Sequence, residues 1–369
     1  MRARFAVFVG LVQLTLSLAH SFVYDTWTAF WQGADPPGIS TLKVTLTLLS
    51  FTFVGASLLA FRYSHVLIRL FYTIAAVWLG VLSFCFFAAC SCWILYAVIG
   101  LLGSHLERRP IAGVLFGVAA FASLFGIINA AWLRVKRITV KLPNLPESWR
   151  GRVAALVTDT HLGHVRGPGF MRRIIDSLRQ LKPDVVFITG DLYDGTKADL
   201  DRLAAPWTEL SAPLGTYFVT GNHEEFSDPA KYIDAINRSG VQVLGNRSVN
   251  IDGLQIIGVH YRDSTNEQRF RSVLRQAAVN PDRSTILLTH SPSRLSIAED
   301  EGISLQLSGH THRGQFFPFT WIASRIYGEY TYGLKRFGDL MVYTSCGAGT
   351  WGPPMRVGTS PEIVLIRFE

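Results

Sequence analysis

Residues 304–312 read Ser-Leu-Gln-Leu-Ser-Gly-His-Thr-His, a short strand-like run closed by a glycine and two histidines one residue apart. The glycine permits a tight turn and close backbone approach. His310 and His312 then stand just past the carboxyl end of the strand. A lone histidine is commonplace in a protein core. A pair after a strand and a glycine is the kind of feature that binds a cation through imidazole.

The same arrangement recurs upstream. Ala-Ala-Leu-Val-Thr (154–158) runs into Asp159 and His161, and Val-Val-Phe-Ile-Thr (185–189) into Gly190 and Asp191. Thr-Tyr-Phe-Val-Thr (216–220) runs into Gly221, Asn222, His223 and Glu224, and Thr-Ile-Leu-Leu-Thr (285–289) into His290. Taken singly these are weak, since an Asp-x-His is common and Gly-Asp after a strand often makes a turn or helix cap. Five apolar strands each ending in a metal-ligand type are a different matter. Ligands of α/β sheets collect at the carboxyl ends of strands, where residues far apart in sequence converge. Imidazole and carboxylate suit Zn²⁺, Mn²⁺ and iron without any thiolate. One carboxylate can bridge two cations. A pair about 3.5–4 Å apart clamps the attacking and leaving oxygens of a phosphoryl group and acidifies a water.

Around these motifs, strand and helix patterns alternate from residue 136 onward, with helices expected over 169–181, 198–210, 229–239 and 266–278. This predicts an α/β domain of layered sheets over 136–369. Residues 1–135 are different. Charges are sparse, and four stretches (5–24, 41–61, 71–102 and 111–132) approach or exceed the roughly 20 apolar residues that span a bilayer. The third is over-long and reads as one tilted helix or a hairpin. The chain has 369 residues, is 49% hydrophobic and carries a formal charge of +8; its mean hydropathy is +0.25. Arg2, Arg4, Arg62, Arg69, Arg134, Lys136, Arg137 and Lys141 fall on one side of a four-helix topology, against Lys43, Arg108 and Arg109 on the other. The positive-inside rule then predicts a multi-pass membrane protein whose C-terminal domain is cytoplasmic; a hairpin would reverse that side. Cys85, Cys90 and Cys92 share one apolar run and Cys346 is remote, which suggests neither a disulfide framework nor a zinc knuckle.

The motif set, Asp-x-His, Gly-Asp, Gly-Asn-His-Glu, a separate His and Gly-His-x-His, resembles that of the calcineurin-like metallophosphoesterases over roughly residues 150–369. The closing region, from GHTHRGQ to GAGTWGPPMRVGTSPEIVLIRF, is similar to the branch of transmembrane proteins with a metallophosphoesterase domain. The resemblance implies a four-layer αββα sandwich preceded by transmembrane helices. It implies two divalent metal ions (Mn, Fe or Zn), one on Asp159, His161, Asp191 and His312, the second on Asp191, Asn222, His290 and His310, with Asp191 as bridge. His223 would be catalytic, stabilising phosphoryl oxygens or protonating the leaving group. That branch usually has glycine where this chain has Arg313, a candidate contact for substrate phosphate.

Lesser features remain. His260 reads as a supporting or core residue, and Asp194 and Glu224 either orient a histidine or sit in solvated loops. Phe316 to Ile322 reads as core, or as an apolar lip touching a bilayer. The function expected is hydrolysis of a phosphoester or pyrophosphate bond of a phosphorylated small molecule or lipid, on a membrane-anchored domain. The alternative is a silent receptor or scaffold using the fold as a binding module, though every ligand position is filled. A transporter fits poorly, because the apolar spans hold almost no charge and His20, His65 and His105 lie near their expected ends. Nucleic-acid binding is not expected, since no basic stretch is interleaved with aromatics.

Overall fold

The computed structural model describes residues 2–31, 39–103, 107–226, 228–280 and 282–369. His105 lies outside them. The chain divides into two compact units, Met1–Ile128 with Gly352–Met355, and Asn129–Trp351 with Arg356–Glu369.

The first unit contains the helices Arg2–Phe30, Ile39–Ala60, Val66–Leu101 and Arg108–Ala131. Each is long and apolar enough to cross a membrane. The third is one unbroken helix of 36 residues, about 54 Å long at 1.5 Å per residue, so the hairpin alternative falls. Hydroxyls in these helices bond back onto their own turn, Thr47 to the Lys43 carbonyl and Ser83 to that of Leu79, which satisfies them without water. The first helix runs past its expected end to Phe30, so His20 lies inside it and accepts from Trp78 Nε1 at 2.9 Å. His65 caps the third helix through its ring.

The second unit begins with β1 (Arg134–Val140), β2 (Val153–Val157), β3 (Val185–Thr189), β4 (Thr216–Val219), β5 (Gln242–Val243) and β6 (Arg247–Ile251). It continues with β7 (Leu254–Gly258), β8 (Thr285–Leu288), β9 (Leu305–Ser308), β10 (Gly333–Phe337), β11 (Leu340–Thr344) and β12 (Glu362–Phe368). One sheet has the order β1-β12-β2-β3-β4-β5, the other β10-β11-β9-β8-β7-β6.

Side-chain alternation explains the layering. Ala154, Leu156, Val185, Phe187 and Val219 meet Ile256, Ile286, Leu288, Leu305 and Leu307 in a core between the sheets. Their neighbours Ala155, Val157, Val186, Ile188 and Phe218 face the other way, onto Phe170, Ile174, Leu178 and Ile236 of flanking helices. On the far side Ile257, Leu287 and Val342 pack on Phe270, Leu274 and Ile297. Strands buried on both faces need nearly continuous apolar runs, which the sequence supplies. The result is the four-layer αββα sandwich.

Boundaries moved where local chemistry intervened. The helix expected over 198–210 is α-helical from Leu200 to Ala204 and 3-10 from Ala205 to Glu209, because Pro206 lacks the N–H that a continuing helix would use. Asn266 is an N-cap, accepting from Arg269 N, and the helix starts after it at Glu267. β5, β6 and β10 were not expected. All three close sheet edges with part-exposed residues; such strands need no apolar run.

Within each sheet the strands that carry the motifs are parallel: β2, β3 and β4 in one, β7, β8 and β9 in the other. Parallel strands send all their following loops to the same edge. The loops after β2, β3, β4, β8 and β9 therefore converge.

Candidate metal centre

The loops are tied together before any ligand is considered. The Asp159 N–H donates to the Gly190 carbonyl and that of His161 to the Asp191 carbonyl, each at 3.1 Å. The His310 N–H bonds both Asp159 carboxylate oxygens at 3.1 Å, bridging the two sheets. Gly190 has φ +86°, and a Cβ there would lie 2.6 Å from Gly221 N. A Cβ on Gly309 would fall on the Asp159 carboxylate and Thr158. Asp159, His161, Asp191, His310 and His312 all have φ between +48° and +72°, a region that costs non-glycine residues energy and that clusters at functional sites.

The side chains meet in three groups, Asp159 with His161 and His312, Asp191 with His290 and His310, and His161 with Asp194 and His223, each with ligand atoms within 4.8 Å of one another. His161 Nε2 and His312 Nε2 are 2.9 Å apart, and His312 Nε2 lies 3.4 Å from Asp159 Oδ1. Asp191 Oδ2 is 3.2 Å from His290 Nε2, 3.8 Å from His161 Nε2 and 3.9 Å from His223 Nε2. That oxygen belongs to both halves. Asn222 Oδ1 is 3.1 Å from His290 Nε2. His290 Nδ1 faces the Thr189 carbonyl at 2.7 Å, and a proton held there leaves Nε2 for the centre. His223 Nδ1 faces the Asp194 carbonyl at 2.9 Å in the same way.

Electrostatics support a cation site. Burial, then the charge of His223, holds His161 well below its ordinary value. Burial takes His310 down to about 3 and, with His161 and Arg356, pushes His312 well down. Neutral imidazole is the form that ligates. Burial raises Asp159 to about 6. Burial would raise Asp191 too, but His290, His223 and His161 hold it well below the carboxylate range. His290 is raised to about 10, burial being outweighed by Asp191 and Asp159. Two imidazole nitrogens 2.9 Å apart, with a carboxylate beside them, fit adjacent positions on one cation with bonds of about 2.0–2.2 Å. The donor set, imidazole, carboxylate and amide oxygen, suits Zn²⁺, Mn²⁺ or iron.

Some residues play parts the sequence did not separate. Glu224 is wholly buried and orients no histidine. Its carboxylate accepts from the backbone N–H groups of Asp191 (3.0 Å), Tyr193 (2.9 Å) and Gly221 (2.8 Å), bolting the β3 and β4 loops together. Burial and then Asp191 raise it to about 7. Asp194 Oδ1 stands 3.7 Å from His161 Nδ1, and burial, then Asp191, raises it to about 8. His260 Nδ1 lies 2.7 Å from Thr220 Oγ1. Arg313 lays its guanidinium 4.8 Å from the Tyr332 ring centre. Arg356 is fully buried and donates to the carbonyls of Cys346 (2.5 Å), Gly349 (2.7 Å) and His312 (3.2 Å). Nothing in the periodicity of its Pro-Pro-Met-Arg context signals that role.

Comparison with known proteins agrees. The calcineurin-like phosphoesterase family model matches residues 153–314. An uncharacterized metallophosphoesterase of Campylobacter jejuni is 27% identical over 382 residues, 99% of this chain and 99% of that protein. One from Aquifex aeolicus is 30% identical over 262 residues, 68% of this chain and 98% of that protein. A Danio rerio protein named transmembrane protein with metallophosphoesterase domain is 32% identical over 268 residues; the match spans 68% of this chain and 60% of the relative.

Proposed function

The chain belongs to the calcineurin-like metallophosphoesterase family, and on that premise we propose that it is a membrane-anchored, dinuclear metal-dependent phosphoesterase. The observation that carries the reading is the convergence on Asp191 Oδ2 of His161, His223 and His290, with Asp159 and His312 on one side and Asn222 and His310 on the other. Asp159, His161, Asp191 and His312 would hold one cation, and Asp191, Asn222, His290 and His310 the other. When bound, the cations supply Lewis acidity toward water and the phosphoryl group.

The chain's own residues do the rest. The Asp194 carbonyl orients His223 through Nδ1, presenting Nε2 to the centre, where it bonds a phosphoryl oxygen or hands a proton to the leaving oxygen. Glu224 keeps the Asp191 and Asn222 loops in register. The loop after β9 carries Arg313 at the edge of the centre, where its charge favours an anionic substrate. The bond broken is a phosphoester or pyrophosphate bond of a small molecule, lipid or envelope precursor. The four apolar helices anchor the enzyme, with the catalytic domain cytoplasmic by the distribution of Lys and Arg.

The test uses full-length protein in detergent, loaded with Mn²⁺ and given a chromogenic phosphodiester and phosphomonoester. Turnover that needs metal, and that drops about 10²-fold or more in His223→Ala and at least as far in Asp191→Ala, is expected. Folded, metal-loaded protein that cleaves neither ester refutes the proposal.

A further inference from the structure

Large apolar side chains exposed in the second unit are not scattered. Beyond Trp132, those among the described residues come from three places: Phe226, residues 317–326 and Trp351. All three adjoin the candidate centre. The Phe226 ring lies 4.6 Å from that of His223 and the Trp351 ring 6.3 Å from it. The helix Phe319–Tyr327 reaches the centre through Tyr327, whose ring is 6.0 Å from that of His310.

These are held surfaces. The Trp351 N–H donates to Gln315 Oε1 at 2.7 Å and Gln315 Nε2 donates back to the Trp351 carbonyl at 2.8 Å, so the loop after the last histidine motif clamps the tryptophan. The helix Phe319–Tyr327 buries Ala323 alone and leaves Phe319, Trp321, Ile322 and Ile326 exposed, Ile326 by 67%. A water-facing helix surface is normally polar; a contiguous apolar patch marks a docking site. Cations stand on the same rim, Arg325 5.3 Å from the Trp321 ring centre and Arg313 over Tyr332, complementary to an anionic headgroup. The chain passes from the last apolar helix to β1 through Trp132 and Leu133 alone, so the domain that carries the rim is tied directly to an apolar helix long enough to cross a membrane.

Resting on the phosphoesterase reading above, we propose that this rim seats the hydrocarbon chain of a membrane lipid whose phosphoryl group enters the metal centre. Water adds its oxygen to phosphorus, the phosphorus–oxygen bond to the leaving group breaks, and a proton ends on the leaving oxygen. Apolar contact at Phe226, Phe319, Trp321, Ile322, Ile326 and Trp351 selects substrates by their tails.

The test compares p-nitrophenyl ethyl phosphate with p-nitrophenyl hexadecyl phosphate, which share the reacting group and differ in the tail. Full-length Mn²⁺-loaded protein in phosphatidylcholine vesicles is expected to favour the long ester in kcat/KM by about tenfold or more. In Trp321→Ser/Ile326→Ser that ratio falls at least about fivefold below wild type, and Phe226→Ser, on a different segment, lowers it independently. All three side chains are exposed, so a thermal melt is expected to match wild type. Equal kcat/KM for the two esters in wild type, or a ratio the same in wild type and both variants, overturns the rim while leaving the phosphoesterase standing. Cleavage of the long ester alone supports both readings, and cleavage of neither overturns both.

Discussion

The layers of the second unit and the loops at their edge obey opposite rules. In the layers, Phe187, Leu156, Ile286 and Leu305 are fully buried, and β2, β3 and β4 show one face to each of two cores. In the loops, carboxylates Asp159, Asp191 and Glu224 are just as buried, and five ligand candidates hold left-handed backbone. Burying apolar surface stabilises the fold by about 1.5–3 kcal/mol per large side chain. Burying ionisable groups and twisting non-glycine backbone costs energy. The lesson is a division of labour, in which the layers hold a geometry that the loops could not hold by themselves.

That contrast can be broken by changing one residue on each side. Asp159→Asn keeps a side-chain oxygen for the His310 N–H and a residue type tolerant of left-handed backbone, yet removes a ligand charge. Its metal-dependent turnover is expected to fall about 10³-fold, while the melting temperature of the metal-free protein at pH 7 stays level or rises. The sign follows from the folded carboxyl being raised to about 6: a raised acid is stabilising below its unfolded value and no longer so once pH exceeds the folded one. A clear fall in metal-free stability would erase the distinction. Phe187→Ala should do the reverse, costing about 3–5 kcal/mol by opening a cavity between sheets, with activity per folded molecule kept near wild type. Denaturant unfolding and active-site titration check both halves.

A smaller effect sharpens the comparison. Between about pH 5 and 8 the metal-free protein should lose stability, because Glu224 and Asp194, raised to about 7 and 8, keep protons in the folded state that the unfolded chain has already released. His290, raised to about 10, adds to the same trend, because its folded form keeps a proton the unfolded form has lost. Bound metal supplies the missing positive charge, so the rise in melting temperature on adding Mn²⁺ should grow across that window. Calorimetry with and without metal measures it; a flat difference would show that these buried acids are not coupled to the site.

Much of this was readable in one dimension. The strands from Ala154, Val185, Thr216, Thr285 and Leu305 announced themselves by apolar runs ending in Asp, Asn or His. The candidate ligands could be named from those endings because parallel strands deliver their loops to one edge. What could not be read depended on neighbours. Glu224 looked like a loop acid until three backbone N–H groups were seen to close on it, and Arg356 had no pattern at all. The stretch after His312 was ambiguous between core and lip; Phe316, which precedes the helix Phe319–Tyr327, proved buried, and Trp321, within it, exposed.

The sequence by itself determined the apolar helices, the central strands of the cores and the chemistry of the ligands, because each is a local matter of periodicity and residue type. Only the tertiary structure decided that one carboxylate oxygen, Asp191 Oδ2, faces three histidines, and that exposed aromatics gather around the same spot. Those are distances between residues as far apart in sequence as His223 and Trp351, set by how two sheets pack and by nothing in either strand alone.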